Sequence, residues 1–115
     1  MPPRTLESEP SQPLTPAMFH VLLALAGDDL HGYAILKEVA LRTAGEVQLS
    51  TGTLYGIIKR LLADGLIRED AGRTADARRR SYDLTAFGRE VARAEAARLE
   101  QTLAIARRKT LFRRA

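Results

Sequence analysis

A mainly α-helical chain with one small β-hairpin is the fold class this sequence predicts, and three observations predict it. The stretch from Ser50 to Gly65 places Leu54, Ile57, Ile58, Leu61 and Leu62 on one helical face and Gly52, Tyr55, Gly56, Lys59 and Ala63 on the other. Directly after it, Leu66 and Ile67 read as the start of a strand, Gly72 opens a turn, and Arg80 to Leu84 return with Tyr82 and Leu84 on one side. Beyond Thr85, small or apolar residues recur at Ala92, Ala96, Leu99, Leu103, Ala106 and Thr110, the a/d rhythm of a coiled coil.

The preceding elements follow in order. All five prolines lie between Pro2 and Pro16, so residues 1–13 read as a flexible arm and the rest is free to be helical. Thr15-Pro16 is an N-cap followed by proline at the first helical position. The first helix runs through Met18, Phe19, Val21, Leu22, Leu23 and Leu25 and stops at Gly27. Its apolar residues cover more than one face, which predicts that a partner subunit covers the second. His20 on this helix reads as a packed interfacial histidine. The second helix opens near His31-Gly32, turns Tyr33, Leu36, Val39 and Ala40 inward, pairs Glu38 with Arg42, and ends about Ala44-Gly45. Ser50 caps the third helix and Gly65 ends it. Thr85 caps the fourth, which reaches about Leu111; at 1.5 Å per residue that is roughly 40 Å, too long for one small core to cover.

The chain of 115 residues is one domain in size, with 45% apolar and 28% charged residues. The expected division is an arm over residues 1–13, a three-helix and hairpin head over 14–84, and a dimerisation helix with a basic tail over 85–115. No run approaches the roughly 18 apolar residues of a membrane span, and the N-terminus has no apolar signal-peptide core, so the expected location is cytoplasmic. There are no cysteines, which excludes disulfides and thiolate metal sites.

Charge indicates the partner. The net charge is +4, with 18 Lys and Arg against 14 Asp and Glu. Arg73, Arg78, Arg79 and Arg80 cluster in the hairpin, and Arg107, Arg108, Lys109, Arg113 and Arg114 crowd the C-terminus. A helix with one buried face and one lean, slightly basic face, followed by a basic hairpin, is built to lie against a polyanion; this is the winged helix-turn-helix arrangement. The major groove admits one helix and displays a distinct pattern for each base pair. Gly52 and Gly56 would permit close approach, while Thr51, Thr53, Tyr55 and Lys59 would reach bases or phosphates. Arg73, Arg78 and Arg79 would contact phosphates or the minor groove as the wing. The expected partners are double-stranded DNA and a second copy of the chain, joined through Phe19, Leu22, Leu23, Ala92, Ala96, Leu99 and Leu103.

Catalysis is not expected: the sequence offers no Gly-rich phosphate loop, no histidine pair at ligand spacing and no nucleophile beside a base. Asp28, Asp29 and His31 surround a helix start and read as capping groups rather than a metal site. No metal or other cofactor is expected. The alternative to a DNA-binding regulator is a protein-interaction adaptor that uses the same fold to dock another protein. A third option is a membrane-surface protein using Leu111, Phe112 and the flanking arginines.

The run GTLYGIIKRLLADGLI, with HGYAILKEV upstream and RRRSYDLTAFGREV downstream, resembles the PadR family of bacterial transcriptional regulators. The resemblance covers about residues 14–110, and the single C-terminal helix is similar to that of the family's short subgroup. It implies a homodimeric winged-helix repressor whose C-terminal helices pack against the other subunit. It also implies that Tyr55 and Lys59 lie on the recognition helix, with Arg78 and Arg79 in or beside the wing. Two departures are visible. Gly56 stands where the family usually has proline after the tyrosine, and the chain has no tryptophan, the residue with which some short members sandwich aromatic drugs.

Overall fold

The structure, a computed structural model, describes residues 14–70, 80–109 and 111–112. Four helices and three short strands follow in the order α1 (Pro16–Ala24), β1 (Leu30–His31), α2 (Gly32–Arg42), α3 (Thr51–Ala63), β2 (Ile67–Asp70), β3 (Ser81–Leu84) and α4 (Ala86–Arg108). The strands form one antiparallel sheet in the order β1-β3-β2. In it Ile67 pairs with Leu84 and Glu69 with Tyr82, while Leu30 pairs with Tyr82 from the other side.

Each helix starts where a side chain can satisfy its first free N–H groups. Thr15 accepts from the Met18 N–H, Ser50 from Thr53 and Thr85 from Gly88. His31 caps α2 through Nδ1, which accepts from the Ala34 N–H at 3.3 Å. Helix ends are equally local. After α3, Gly65 takes φ +75°, the Leu66 N–H donates to the Leu61 carbonyl, and the Gly65 N–H donates to Leu62, a Schellman closure. Leu66 thus belongs to this turn, and the strand begins one residue later than expected. Ala44 and Gly45 both take positive φ after α2, so that helix ends at Arg42, earlier than the expected Ala44-Gly45. Likewise α1 stops at Ala24 rather than Gly27, and α4 at Arg108 rather than Leu111.

One core joins these elements: Met18, Phe19, Val21 and Leu22 of α1 with Leu25 at its C-cap, Ile35 and Val39 of α2, Leu54, Ile58 and Leu61 of α3, then Leu66, Ile67, Tyr82, Leu84 and Ala92. Two expectations are corrected here. Leu22 is fully covered by its own chain, so it is a core residue and cannot serve as a subunit contact. Tyr33 is not inward: it is 66% exposed, because it lies about 200° around the helix from buried Ile35, and the Lys37 ammonium stands 5.4 Å from its ring. The second apolar side of α1 is mostly covered within the chain as well, leaving Leu23, at 45%, as its exposed large apolar residue.

The root of α4 is fixed by an unusually close approach. A Cβ on Gly88 would overlap the Leu66 carbonyl, which is backbone and cannot move aside cheaply. Beside it, the Thr85 hydroxyl donates to the Gly65 carbonyl at 2.6 Å while accepting from the Gly88 N–H at 2.9 Å. One threonine therefore joins the end of α3 to the start of α4. Past Ala92 no residue of α4 is buried, and the rest of the helix carries Leu99, Leu103 and Ile105 in the open.

Candidate nucleic-acid interface

The outward face of α3 is assembled by its own periodicity. Burying Leu54, Ile58 and Leu61 turns Thr51, Gly52, Thr53, Tyr55, Gly56 and Lys59 to the outside, and all six are exposed. At the head of the helix the Ser50 hydroxyl donates to the Thr53 hydroxyl at 3.0 Å, so this pair is held by cap geometry. The first turn of α3 contains no acidic residue. A carboxylate there would favour the helix dipole but repel a phosphate.

Gly52 and Gly56 occupy this face without an internal reason. A Cβ built on either meets no neighbouring atom within 4 Å. Glycine inside a helix costs about 1 kcal/mol relative to alanine, and nothing among the described residues offsets that at position 56. Lys59 is the exposed cation of this face, and no carboxylate of the described residues pairs with it. Other cations near the sheet are engaged. Arg68 makes a two-pronged contact with Asp83 across the β2–β3 pair, at 3.0 and 3.2 Å, which raises its pKa through the hydrogen bond first and charge attraction second. Arg80 meets Glu69 at 2.9 Å. The strands at the root of the hairpin are thus locally neutralised. Arg73, Arg78 and Arg79 lie outside the described residues.

Tyr55 is placed differently from Thr51, Thr53 and Lys59. It is 42% exposed, but its hydroxyl end sits over Gly32, the buried first residue of α2. The contact joins two motifs that are more than twenty residues apart in sequence, and no local pattern marks it. Two further features were not legible. The two-residue β1 is too short for a periodic signal, and the pairing of Arg68 with Asp83 depends on a hairpin register that the sequence does not state.

The expected contact residues of the second copy separate into two groups. Phe19 and Ala92 are buried in the core, whereas Leu23, Ala96, Leu99 and Leu103 are exposed. Between α1 and α4 lies a groove of about 260 Å³ lined by Leu14, Pro16, Phe19, His20, Glu95, Arg98 and Leu99. His20 also lines a larger groove of about 480 Å³ between α1 and α2, with Leu23, Val39 and Arg42. No helix of the described residues is long and apolar enough to cross a membrane, and no cluster of metal-ligating side chains occurs among them.

A bundle of three short helices closed by a β-hairpin, with one outward helix face that carries two open glycines and an exposed lysine, defines a winged-helix protein. Residues 21–94 match the transcriptional regulator PadR-like family, and the chain belongs to it. Solved structures agree on the fold. A PadR family transcriptional regulator from Eggerthella lenta superposes with TM-score 0.67 at 26% identity, over 85% of this chain and 83% of that one. A transcriptional regulator from Clostridium thermocellum gives TM-score 0.69 at 24% identity, covering 79% and 86%. Bacillus subtilis PadR, solved in complex with operator DNA, gives 0.63 at 19% identity over 73% of this chain and 48% of that one. In sequence, 82 residues are 42% identical to an uncharacterised 37.1 kDa protein in a transposon of Streptomyces fradiae. That match takes in 70% of this chain but only 22% of the relative's length.

Proposed function

We propose that this chain is a dimeric, sequence-specific DNA-binding regulator of the bacterial cytoplasm that represses by occluding a promoter at a pseudo-palindromic operator. The observation that carries it is the outward face of α3: two glycines with open space around them and Lys59 with no carboxylate partner among the described residues. Such a face suits a partner that approaches the backbone closely and carries negative charge. Thr51, Thr53 and Lys59 would enter the major groove with Tyr55 at its rim, and Arg73, Arg78 and Arg79 of the hairpin would lie on the flanking backbone.

The second copy would meet α1 and α4 through Leu23, Ala96, Leu99 and Leu103, with Phe19 and Ala92 at the edge of the contact. The two α3 helices would then lie roughly 34–36 Å apart, one turn of the duplex. No residue carries a catalytic, metal or cofactor role in this function. A small-molecule effector would act by changing the angle between the two heads.

The test is a fluorescence-anisotropy titration against duplexes selected from a random pool, repeated at several salt concentrations. A palindromic site bound at least ~10³-fold more tightly than random DNA establishes the regulator. Uniform weak binding that disappears with salt leaves only counterion release and sinks the reading in favour of a protein-docking adaptor.

A further inference from the structure

The two motifs that meet at the start of α2 determine how α3 is held. Gly32 is buried, and a methyl group on its Cα would collide with the Tyr55 hydroxyl and come within 2.9 Å of its ring at Cζ. The ring therefore lies across the α2 start, with the hydroxyl seated on the backbone of its own chain. One side chain of α3 thus bridges to the start of α2.

We propose that Tyr55 is a positioning residue: seated in the Gly32 socket, it sets the pose of α3 against α2, and through that pose the sequence selectivity of the interface. The proposal rests on the DNA-binding function above. Base readout depends on hydrogen bonds that weaken steeply with small displacements, whereas phosphate attraction is long-ranged and tolerant. A loosened α3 therefore loses discrimination before it loses general affinity.

The Gly32→Ala substitution tests this without altering any residue of α3. The atom it strikes is the end of a rotatable, partly exposed side chain, so the ring swings outward and the fold survives, as a thermal melt would verify. Full-length wild type, Gly32→Ala, Tyr55→Ala, Tyr55→Phe and the Gly32→Ala/Tyr55→Ala double variant are titrated with the selected operator and a random duplex of equal length. Gly32→Ala and Tyr55→Ala each lower the ratio of specific to non-specific affinity at least about tenfold, and Gly32→Ala, which alters no residue of the interface, leaves non-specific affinity and its salt slope unchanged. The double variant is no worse than Tyr55→Ala alone, because the socket matters only when the ring is present. Tyr55→Phe, which keeps the ring, stays close to wild type.

Three results overturn the proposal: a ratio unmoved by Gly32→Ala and Tyr55→Ala, effects of those two that simply add, or a Tyr55→Phe loss as large as that of Tyr55→Ala, which would make the hydroxyl a direct reader. If the wild type itself prefers no duplex, the DNA-binding function fails and takes this inference with it. That outcome is distinct, since it appears before any variant is compared.

Discussion

The head of the molecule and the outer half of α4 use the same apolar residues at helical spacing and reach opposite ends. In the head, Leu22, Leu54 and Leu61 are wholly covered; on α4, Leu99 and Leu103 remain 41% exposed. The difference lies in what surrounds them. Caps and glycine turns fold α1, α2 and α3 back onto one another within a few residues, so the main apolar stripe of each finds another, and Leu23 and Leu41 are left exposed. Past Ala92, α4 has only the start of α1 beside Glu95, Arg98 and Leu99, across an open groove, and no described element of its own chain buries its remaining residues. Helical periodicity fixes which side of a helix is apolar; connectivity decides whether the same chain can cover it.

Removing a methyl cluster from each region breaks the comparison most sharply. Leu22→Ala opens a cavity in the head and is expected to cost about 2–5 kcal/mol of unfolding free energy, read by urea denaturation at any protein concentration. An equal loss on Leu99→Ala would mean that α4 is covered by its own chain after all. The complementary change, Leu99→Asp with Leu103→Asp, leaves the head's own packing untouched and acts on the contact between copies. It is expected to shift the protein to monomer in analytical ultracentrifugation and to abolish the concentration dependence of Tm. Helical circular dichroism should also fall, since about 15 residues of isolated helix are marginal in water. Unchanged sedimentation in that variant would remove α4 from the proposed dimer.

A smaller effect separates stability from function within the head. Gly56→Ala fills open space on α3 and should stabilise the fold by up to about 1 kcal/mol while weakening operator binding by keeping the backbone at a distance. A gain in both would show that this glycine faces no partner.

The same division explains how much could be read in advance. The caps Thr15, Ser50 and Thr85, the proline at the start of α1 and the glycine that ends α3 are signals within three or four residues, and each stands where the sequence placed it. The lean face of α3 follows from periodicity alone. Tyr33 reads as inward because bulky aromatics favour cores, whereas its angle on α2 sets it opposite Ile35. Leu22 reads as a partner contact because α1 is apolar nearly all round, and nothing in the chain order says that the rest of the core arrives to cover it. The Gly32–Tyr55 contact, β1 and the Arg68–Asp83 pairing are long-range consequences of packing, so they become visible only with coordinates.

The gentlest probe of the comparison is proton titration, because the two regions perturb ionisable groups for different reasons. In the head, Tyr82 is raised chiefly by burial, with Glu69 and Tyr55 adding to it and Arg80 opposing. On α4, Glu95 is lowered chiefly by the hydrogen bond from Arg98, at 2.6 Å, with charge attraction contributing less than the opposing desolvation. A phenol whose pKa is higher folded than unfolded holds its proton more tightly in the native state. Its stabilising contribution is therefore complete below the unfolded value near 10 and is lost as pH rises through the folded one. A carboxyl whose pKa is lower folded contributes above its unfolded value and loses that contribution as pH falls. Absorbance titration should thus show one of the three tyrosines ionising late, and Tyr82→Phe should remove that step. Glu95→Gln should barely change acid stability, because an exposed pair is screened by solvent. If Glu95→Gln moved the acid midpoint more than Tyr82→Phe moved the alkaline one, the outer half of α4 would be as closely packed as the head, and the contrast between them would fail.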